Sequence, residues 1–182
     1  MLTGLPVLRC ARPDDAKHVA AVHEAAWRAA YAPMIARGEL SIVPFARRVA
    51  QWSVEINRGG PGRATQLFLA ESDGRVAGLA LLGLQRDPAL CHAGWRAELH
   101  ALYVHPHMQR RGLGRMLVSA VAHRVLDLGG TRLALWALRK HRPARAFYTA
   151  LGGCRIAMRP GPQGREMLAR TAYGWSDLVT LV

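Results

Sequence analysis

A basic, glycine-bearing turn between a strand pattern and a helix pattern constrains this chain more than any other feature. The turn is Gln109-Arg110-Arg111-Gly112-Leu113-Gly114; it follows the apolar stretch 99–104 and opens a helical repeat. The first N–H groups of a helix have no partner inside it, and the helix dipole favours negative charge there. The glycines let the backbone turn tightly and a ligand approach closely, and the arginines add positive charge. The pattern predicts a site for a phosphate group.

Two better-known phosphate motifs do not fit this turn. No Gly-Lys-Ser/Thr follows, which excludes a Walker motif. The turn has only two glycines, and no acidic residue ends the following strand near Leu135, so the dinucleotide fingerprint is absent. A surface turn rich in arginine has a similar composition, and the rest of the chain must decide between the two interpretations.

The composition bounds the class of protein. A length of 182 residues suits one domain, which we expect to span residues 1–182. Apolar residues form no run long enough for a membrane span and the N-terminus lacks a secretory pattern, so we expect a cytoplasmic protein without a membrane partner. Three widely spaced cysteines, Cys10, Cys91 and Cys154, suit neither a disulfide framework nor a metal motif. Each is expected to be a small buried residue.

The net charge of +13 is the usual sign of a nucleic-acid partner. Apart from Lys17 and Lys140, however, all the basic side chains are arginines, and they spread along the whole chain. A nucleic-acid partner is therefore disfavoured, because a small polyanionic ligand needs only a few of these charges.

Hydrophobic periodicity predicts an α+β fold with about seven strands and about four helices. The predicted strands are 7–10, 66–71, 76–84, 95–104, 132–138, 154–158 and 166–175. The predicted helices are 15–31, 45–56, 113–128 and 143–151, and residues 86–94 are predicted to be irregular. We expect a twisted, mostly antiparallel central sheet in which a later β-α-β unit adds one parallel pair.

A second motif, Ala144-Arg145-Ala146-Phe147-Tyr148-Thr149-Ala150-Leu151-Gly152, lies on the last predicted helix. With the glycine turn it resembles the GNAT superfamily of acyl-CoA-dependent N-acetyltransferases. That family's signatures are Gln/Arg-x-x-Gly-x-Gly/Ala and Ala-x-x-Phe-Tyr-x-x-x-Gly, and the resemblance spans Val7 to Trp175. It implies the GNAT fold, in which the parallel pair splays apart. It also implies direct acetyl transfer from acetyl-CoA to a primary amine, without a metal.

The resemblance implies a set of acetyl-CoA contacts. The glycine turn would hold the pyrophosphate, and the opened strand before it would pair with the pantetheine arm as an extra strand. A backbone N–H near Tyr103 or Val104 would stabilise the oxyanion. At one position the family often has Asn and this chain has His141, whose imidazole can also hydrogen-bond. The implied contacts are Leu102, Tyr103, Val104, Gln109, Arg110, Arg111, Gly112, Leu113, Gly114, Arg115, His141 and Ala144.

Glu98 is the candidate base, because glutamate at this place acts as base in related family members. It is a lone carboxylate in a largely apolar strand, where desolvation would raise its pKa. The alternatives are a solvated edge-strand glutamate or an ion pair with Arg96. His100 shares the strand face of Glu98 and is open as an assistant or a replacement.

Tyr148 is the candidate acid. A phenol near the sulfur can return a proton to the leaving thiolate. The alternative is a core aromatic residue, as its helical spacing and neighbour Phe147 would also allow.

The acceptor amine is expected between the first two helices, from Trp27 to Trp52. Trp27, Tyr31, Phe45 and Trp52 would line a pocket there or pack in the core. No acidic run favours a polycation, so the class of acceptor stays open: we expect a small-molecule or peptide amine, which could be a small amine, an amino acid, an antibiotic or a protein N-terminus.

Other interpretations stay open at this point. Family members often dimerise through the C-terminal strands, and Tyr173, Trp175 and residues 178–182 suit either a homodimer surface or a core strand. The functional alternatives are a GNAT-fold protein that binds acyl-CoA without turnover and a basic nucleic-acid-binding protein.

Overall fold

Seven strands form one mixed sheet in the computed structural model, which describes residues 5–31, 43–60, 62–162 and 165–182. The strands are β1 (Val7–Cys10), β2 (Gln66–Ser72), β3 (Arg75–Leu84), β4 (Ala97–Val104), β5 (Leu133–Leu138), β6 (Cys154–Arg159) and β7 (Arg170–Trp175). They lie in the order β1-β2-β3-β4-β5-β7-β6. The β4–β5 pair is parallel and the other neighbouring pairs are antiparallel. The predicted fold class is confirmed.

Helices cover the sheet on both faces. They are α1 (Ala16–Tyr31), α2 (Phe45–Arg58), α3 (Pro88–His92), α4 (Leu113–Asp127) and α5 (Arg142–Ala150). The apolar stripe of α4 packs with α5 on one face of the sheet, where Leu117 and Val121 are fully buried. On the other face α1 and α2 cover β2 and β3, where Val19 and Leu79 are fully buried. Successive side chains of a strand point to opposite faces of the sheet, so each strand contributes residues to both cores.

The β2–β3 hairpin shows why local signals predicted much of this sheet. Asp73 and Gly74 both have positive φ, 50° and 70°. That backbone matches the right-handed twist of the flanking strands, and Asp-Gly adopts it readily. The turn pairs Ser72 with Arg75 and fixes the register of the hairpin.

Two predicted segments are wrong. Residues 88–92 form α3 rather than an irregular loop, because the Asp87 carboxylate caps the amides of Ala89 and Leu90 at 3.0 and 3.4 Å. A helix this short shows no sequence periodicity. The last strand begins at Arg170 instead of residue 166, because residues 166–168 form a 3-10 turn first.

The cysteine prediction is also wrong, since Cys10, Cys91 and Cys154 are all exposed and free. Cys10 and Cys154 lie on the two edge strands of the sheet, and Cys91 lies on the short surface helix α3. Edge and surface positions leave their side chains without a covering layer.

The C-terminal residues belong to the core. Tyr173, Trp175, Leu178 and Leu181 are buried against α4 and α5. Trp175 Nε1 donates to the Leu151 carbonyl at 2.8 Å, which joins β7 to the end of α5. Among the described helices none is long and apolar enough to cross a membrane.

Candidate functional site

The parallel strands β4 and β5 pair over a short stretch and then separate. Only two pairs are in register, Ala97 with Leu133 and Glu98 with Ala134. Both strands continue beyond these pairs, β4 to Val104 and β5 to Leu138. On its other side β4 stays paired with β3 as far as Val104. A register shift opposite Leu81 and Leu82 makes a bulge at His100, and this bulge turns β4 away from β5. Within the described ranges, the splay therefore leaves backbone groups of β4 without a sheet partner on the β5 side.

The glycine turn joins the open end of β4 to α4. Gly112 precedes the helix with φ 85°, and Arg110 has φ 64°, a left-handed conformation that costs a non-glycine residue energy. Among the described residues no side chain caps α4. The first amides of this 15-residue helix are thus open to an anion.

The arginine side chains around the turn also favour the binding of an anion. Arg110, Arg111 and Arg115 are exposed, so three guanidinium groups surround the helix start. Gln109 points backwards instead, and its Nε2 donates to the Val104 carbonyl at 3.1 Å. This hydrogen bond ties the turn to the end of β4.

Close packing brings the two sequence motifs together. A Cβ on Gly114 would lie 3.1 Å from Cζ of Phe147, so α4 and α5 approach each other here with no room for a side chain. Leu102, Val104 and Ala144 are partly buried against the same core, while Leu113 is fully within it. Leu102, Val104, Leu113 and Ala144 therefore share the core on the α4 side of the sheet, whereas Tyr103 packs with the core on the other side.

Tyr148, Tyr103 and Tyr31 all have a raised pKa, chiefly because they are buried. Tyr148 is 9% exposed, and burial together with the nearby phenols of Tyr31 and Tyr103 raises its pKa. Burial likewise raises the pKa of Tyr103. The ring of His141 lies 5.6 Å from that of Tyr31, and burial lowers the pKa of His141. Tyr148 therefore keeps its proton at neutral pH and can donate it.

Glu98 is buried, with 2% of its surface exposed, so the solvated alternative is wrong. Its partner is Arg86 and not Arg96: Oε1 accepts from Nη2 of Arg86 at 2.6 Å, and Oε2 accepts from the Arg86 amide at 2.9 Å. The sequence did not indicate this pair, because the two residues are 12 positions apart and the path of the loop after β3 brings Arg86 to Glu98.

His100 lies beside Glu98, with Nε2 4.0 Å from Oε2 of the carboxylate. Nε2 is 2.9 Å from the Leu84 carbonyl, which can only accept, so we assign the proton to Nε2. Burial lowers the pKa of His100, which leaves Nδ1 as a neutral acceptor. Gly83 makes room for the ring, since a Cβ there would collide with it.

A second polar cluster, which sequence reasoning missed, lies between α1, α2 and β4. The His23 ring stacks on Tyr103 with centroids 4.3 Å apart. Trp52 Nε1 donates to Nδ1 of His23 at 3.0 Å, and Arg48 Nη1 lies 3.3 Å from its Nε2. Burial and the charge of Arg48 lower the pKa of His23 to about 4, so the ring is neutral.

The predicted acceptor pocket is only partly described. Trp52 packs in the core, which is one of the two alternatives that the sequence left open for it, whereas Phe45 is exposed. The Trp27 ring lies 5.5 Å from that of Tyr31 at the end of α1. Residues 32–42 lie outside the described residues. Within the described ranges, no group of three or more His, Cys, Asp and Glu side chains could hold a metal ion.

A basic groove of about 610 Å³ opens beside α5, away from the glycine turn. It combines the end of β5 and the start of α5 with β6 and β7. Its lining residues are Arg139, Lys140, Arg142, Arg145, Arg155, Met158 and Thr171. Positive charge therefore surrounds α5 as well as α4.

Comparison with known proteins agrees with this geometry. The model of the Acetyltransferase (GNAT) family matches residues 20–152. An uncharacterized N-acetyltransferase of Bacillus subtilis, YuaI, is 28% identical over 175 residues, which are 96% of this chain and 95% of that protein. A probable N-acetyltransferase of Mycobacterium tuberculosis is 29% identical over 143 residues, covering 78% of this chain and 75% of that protein.

A solved structure shares the fold. The acetyltransferase yncA of Salmonella typhimurium, solved with its cofactor acetyl-CoA, superimposes with a TM-score of 0.69 at 20% sequence identity. The match covers 96% of this chain and 95% of that chain.

The neutral His23 makes stability depend on pH. Its pKa is about 4 in the folded chain and 6.5 in its ordinary state, so the unfolded chain binds more protons between these values. The free energy of unfolding should therefore fall by about 2 kcal/mol as pH drops from 6.5 to 4, allowing for partial exposure of the ring. Urea titrations across this range measure the slope.

Two variants isolate this contribution. His23→Gln keeps an acceptor for Trp52 and should reduce the slope. His18→Gln, at an exposed position of the same helix, should keep it. Equal slopes in wild type and His23→Gln would contradict the assignment.

Proposed function

This chain belongs to the GNAT acetyltransferase family, and from that membership we propose that it transfers the acetyl group of acetyl-CoA directly to a primary amine. The proposal depends mainly on one observation: the unpaired edge of β4 is followed directly along the chain by the N-terminus of α4. No described side chain caps that N-terminus. One long ligand with a peptide-like arm and a pyrophosphate fits that order of features.

The chain's own groups suit such a ligand. When bound, acetyl-CoA supplies a thioester whose acyl carbon an amine can attack. We propose that the free edge of residues 102–104 pairs with the pantetheine amides, and that the turn of residues 109–115 holds the pyrophosphate. His141 and Ala144 at the start of α5 would border the arm. An N–H near Tyr103 or Val104 would stabilise the developing oxyanion.

Tyr148 is proposed as the acid. Its phenol is protonated at neutral pH, because burial raises its pKa, and the family motif on α5 supports placing it beside the leaving thiolate.

Glu98 is proposed as the base that draws the proton from the acceptor ammonium, acting through water. It supplies a buried negative charge where β4 and β5 part. Arg86 occupies both carboxylate oxygens in this structure, and the exposed Arg86 side chain can move away. His100 offers the competing route, because its neutral Nδ1 can accept a proton directly.

We further propose that residues 1–182 form one N-acetyltransferase domain located in the cytoplasm. A homodimer stays a prediction. Burial of Tyr173 and Trp175 in the core means that these side chains do not supply its surface.

Cofactor binding can be tested at the glycine turn. Gly112→Val should weaken acetyl-CoA binding at least tenfold, because the backbone must keep a left-handed φ and the new side chain enters the ligand's space. Gly129→Val is the matched control: it has φ 75° and open space too, but lies at the other end of α4. Isothermal titration calorimetry with acetyl-CoA and free CoA measures both.

The outcomes separate the functional classes. Binding that only Gly112→Val weakens supports the proposed site, and thiol release with an amine panel then tests catalysis. Binding without turnover of any amine would favour an acyl-CoA sensor. If wild type binds neither acetyl-CoA nor CoA, the proposal fails. Nucleic-acid binding with a steep salt dependence would then favour a nucleic-acid-binding protein.

The acid can be tested by removing one oxygen. Tyr148→Phe should lower kcat by about 100-fold while changing acetyl-CoA affinity less than threefold, because the ring and its packing remain. Steady-state thiol release and calorimetry give the two values. A large loss of affinity at unchanged kcat would assign Tyr148 to binding instead.

The base can be tested with two isosteric variants. Glu98→Gln should lower kcat/KM by about 100-fold or more, whereas His100→Gln should lower it by less than about tenfold. Steady-state thiol release at one pH gives both values. The reverse order of effects would transfer the role to His100.

A further inference from the structure

We propose that the acceptor is an amino-acid-like amine whose carboxylate binds Arg48, between α2 and the His23–Tyr103 stack. This inference rests on the proposed acetyl transfer and adds a specificity-determining residue on α2. It names the substrate class, an amine that carries a negative charge near the reacting nitrogen.

Arg48 occupies a position where packing alone would place an apolar residue. It shares the buried stripe of α2 with Trp52 and Ile56, one turn apart along the helix, and only 7% of its surface is exposed. Charged side chains are almost never buried without a partner, because desolvation costs several kcal/mol. No carboxylate within the described ranges pairs with Arg48.

The hydrogen-bond donors around His23 outnumber the acceptors. A neutral imidazole has one acceptor nitrogen, and Trp52 Nε1, which can only donate, faces Nδ1. Nε2 then carries the proton and faces Arg48 Nη1, which is also a donor, at 3.3 Å. Arg48 Nε is buried without any partner among the described residues. These N–H groups require an acceptor, and an oxyanion supplies several lone pairs.

The site lies where an acceptor must approach. Tyr103 packs with α1 and α2, whereas its neighbours Leu102 and Val104 pack with α4. The His23 ring links Arg48 to Tyr103, because it stacks on Tyr103 at 4.3 Å and its Nε2 lies 3.3 Å from Arg48 Nη1. The Arg48 site is therefore on the face opposite α4 and its phosphate turn, beside the part of β4 that has left β5.

The other wall of the splay carries the same sign of charge. Glu98 and Ala134 are paired, so Trp136, two positions further along β5, lies on the sheet face of Glu98. Arg159 and Arg170 stack on the Trp136 ring at 5.4 and 5.8 Å, and Arg159 also pairs with the Asp87 carboxylate at 2.7 Å. Arg170 therefore adds positive charge near Trp136, beside the ion pairs that Asp87 and Glu98 make.

Matched acceptors test the inference. CoA thiol release is measured with methionine and methioninamide, and with phenylalanine and phenylalaninamide, at one pH. Arg48→Met should lower kcat/KM for the acids by about 10- to 100-fold and for the amides by less than threefold, because a charge-assisted hydrogen bond is lost. Arg47→Met, at the exposed neighbouring position, should match wild type. An acid-to-amide ratio unchanged in Arg48→Met would overturn the inference and leave acetyl transfer intact.

A second measurement does not depend on turnover. The Arg48 Nε–H resonance, identified by its loss in Arg48→Met, is followed by NMR while N-acetylmethionine or N-acetylmethioninamide is added. The acid should shift it and the amide should not. No shift with the acid would overturn the inference even if every amine fails as substrate, whereas failure of all amines alone counts against the proposed function.

A variant outside the described residues checks for an internal partner. Glu39 is a carboxylate in the segment 32–42. If Glu39→Gln lowers the melting temperature as much as Arg48→Met does, and N-acetylmethionine leaves the Nε–H resonance unmoved, the guanidinium has a structural partner and the inference is wrong. A shift that persists in Glu39→Gln supports it.

Discussion

The early end of the pairing between β4 and β5 determines how the rest of the candidate site is arranged. A sheet normally pairs its backbone groups throughout, because buried unpaired groups are costly. Here the parallel pairing ends at Glu98, and the bulge at His100, which Gly83 accommodates, turns β4 outward. The groups left free form an edge that an extended ligand can complete. The same strand then runs into the turn that presents the amino end of α4.

The opening also joins two chemically different faces. On the α4 side lie main-chain amides and exposed arginines, which suit phosphate. On the α1 and α2 side lie aromatic rings, a neutral histidine and one buried guanidinium. The fold thus presents different chemistry on the two faces of the sheet, on either side of the opened edge of β4.

Sequence patterns predicted those parts that depend on near neighbours along the chain. Periodicity and turn residues gave the sheet strands, the long helices and the glycine turn, since each depends on a few consecutive residues. The short helix α3 escaped because a side-chain cap, and not a period, defines it. The Arg86 partner of Glu98 depends on the path of a loop. The burial of Arg48 runs against its residue type, so no propensity could indicate it.

The arginines of the basic groove have a chemical consequence for an acetyltransferase. A guanidinium stays protonated at any physiological pH and offers no lone pair to a thioester. A lysine in the same position would be deprotonated in a small fraction of molecules, and its neutral amine could then attack the thioester in competition with the acceptor. Lys140 is the single lysine lining the groove, and Lys17 is the only other one in the chain. The positive charge of this groove thus comes almost entirely from side chains that offer no nucleophilic amine, with Lys140 as the exception.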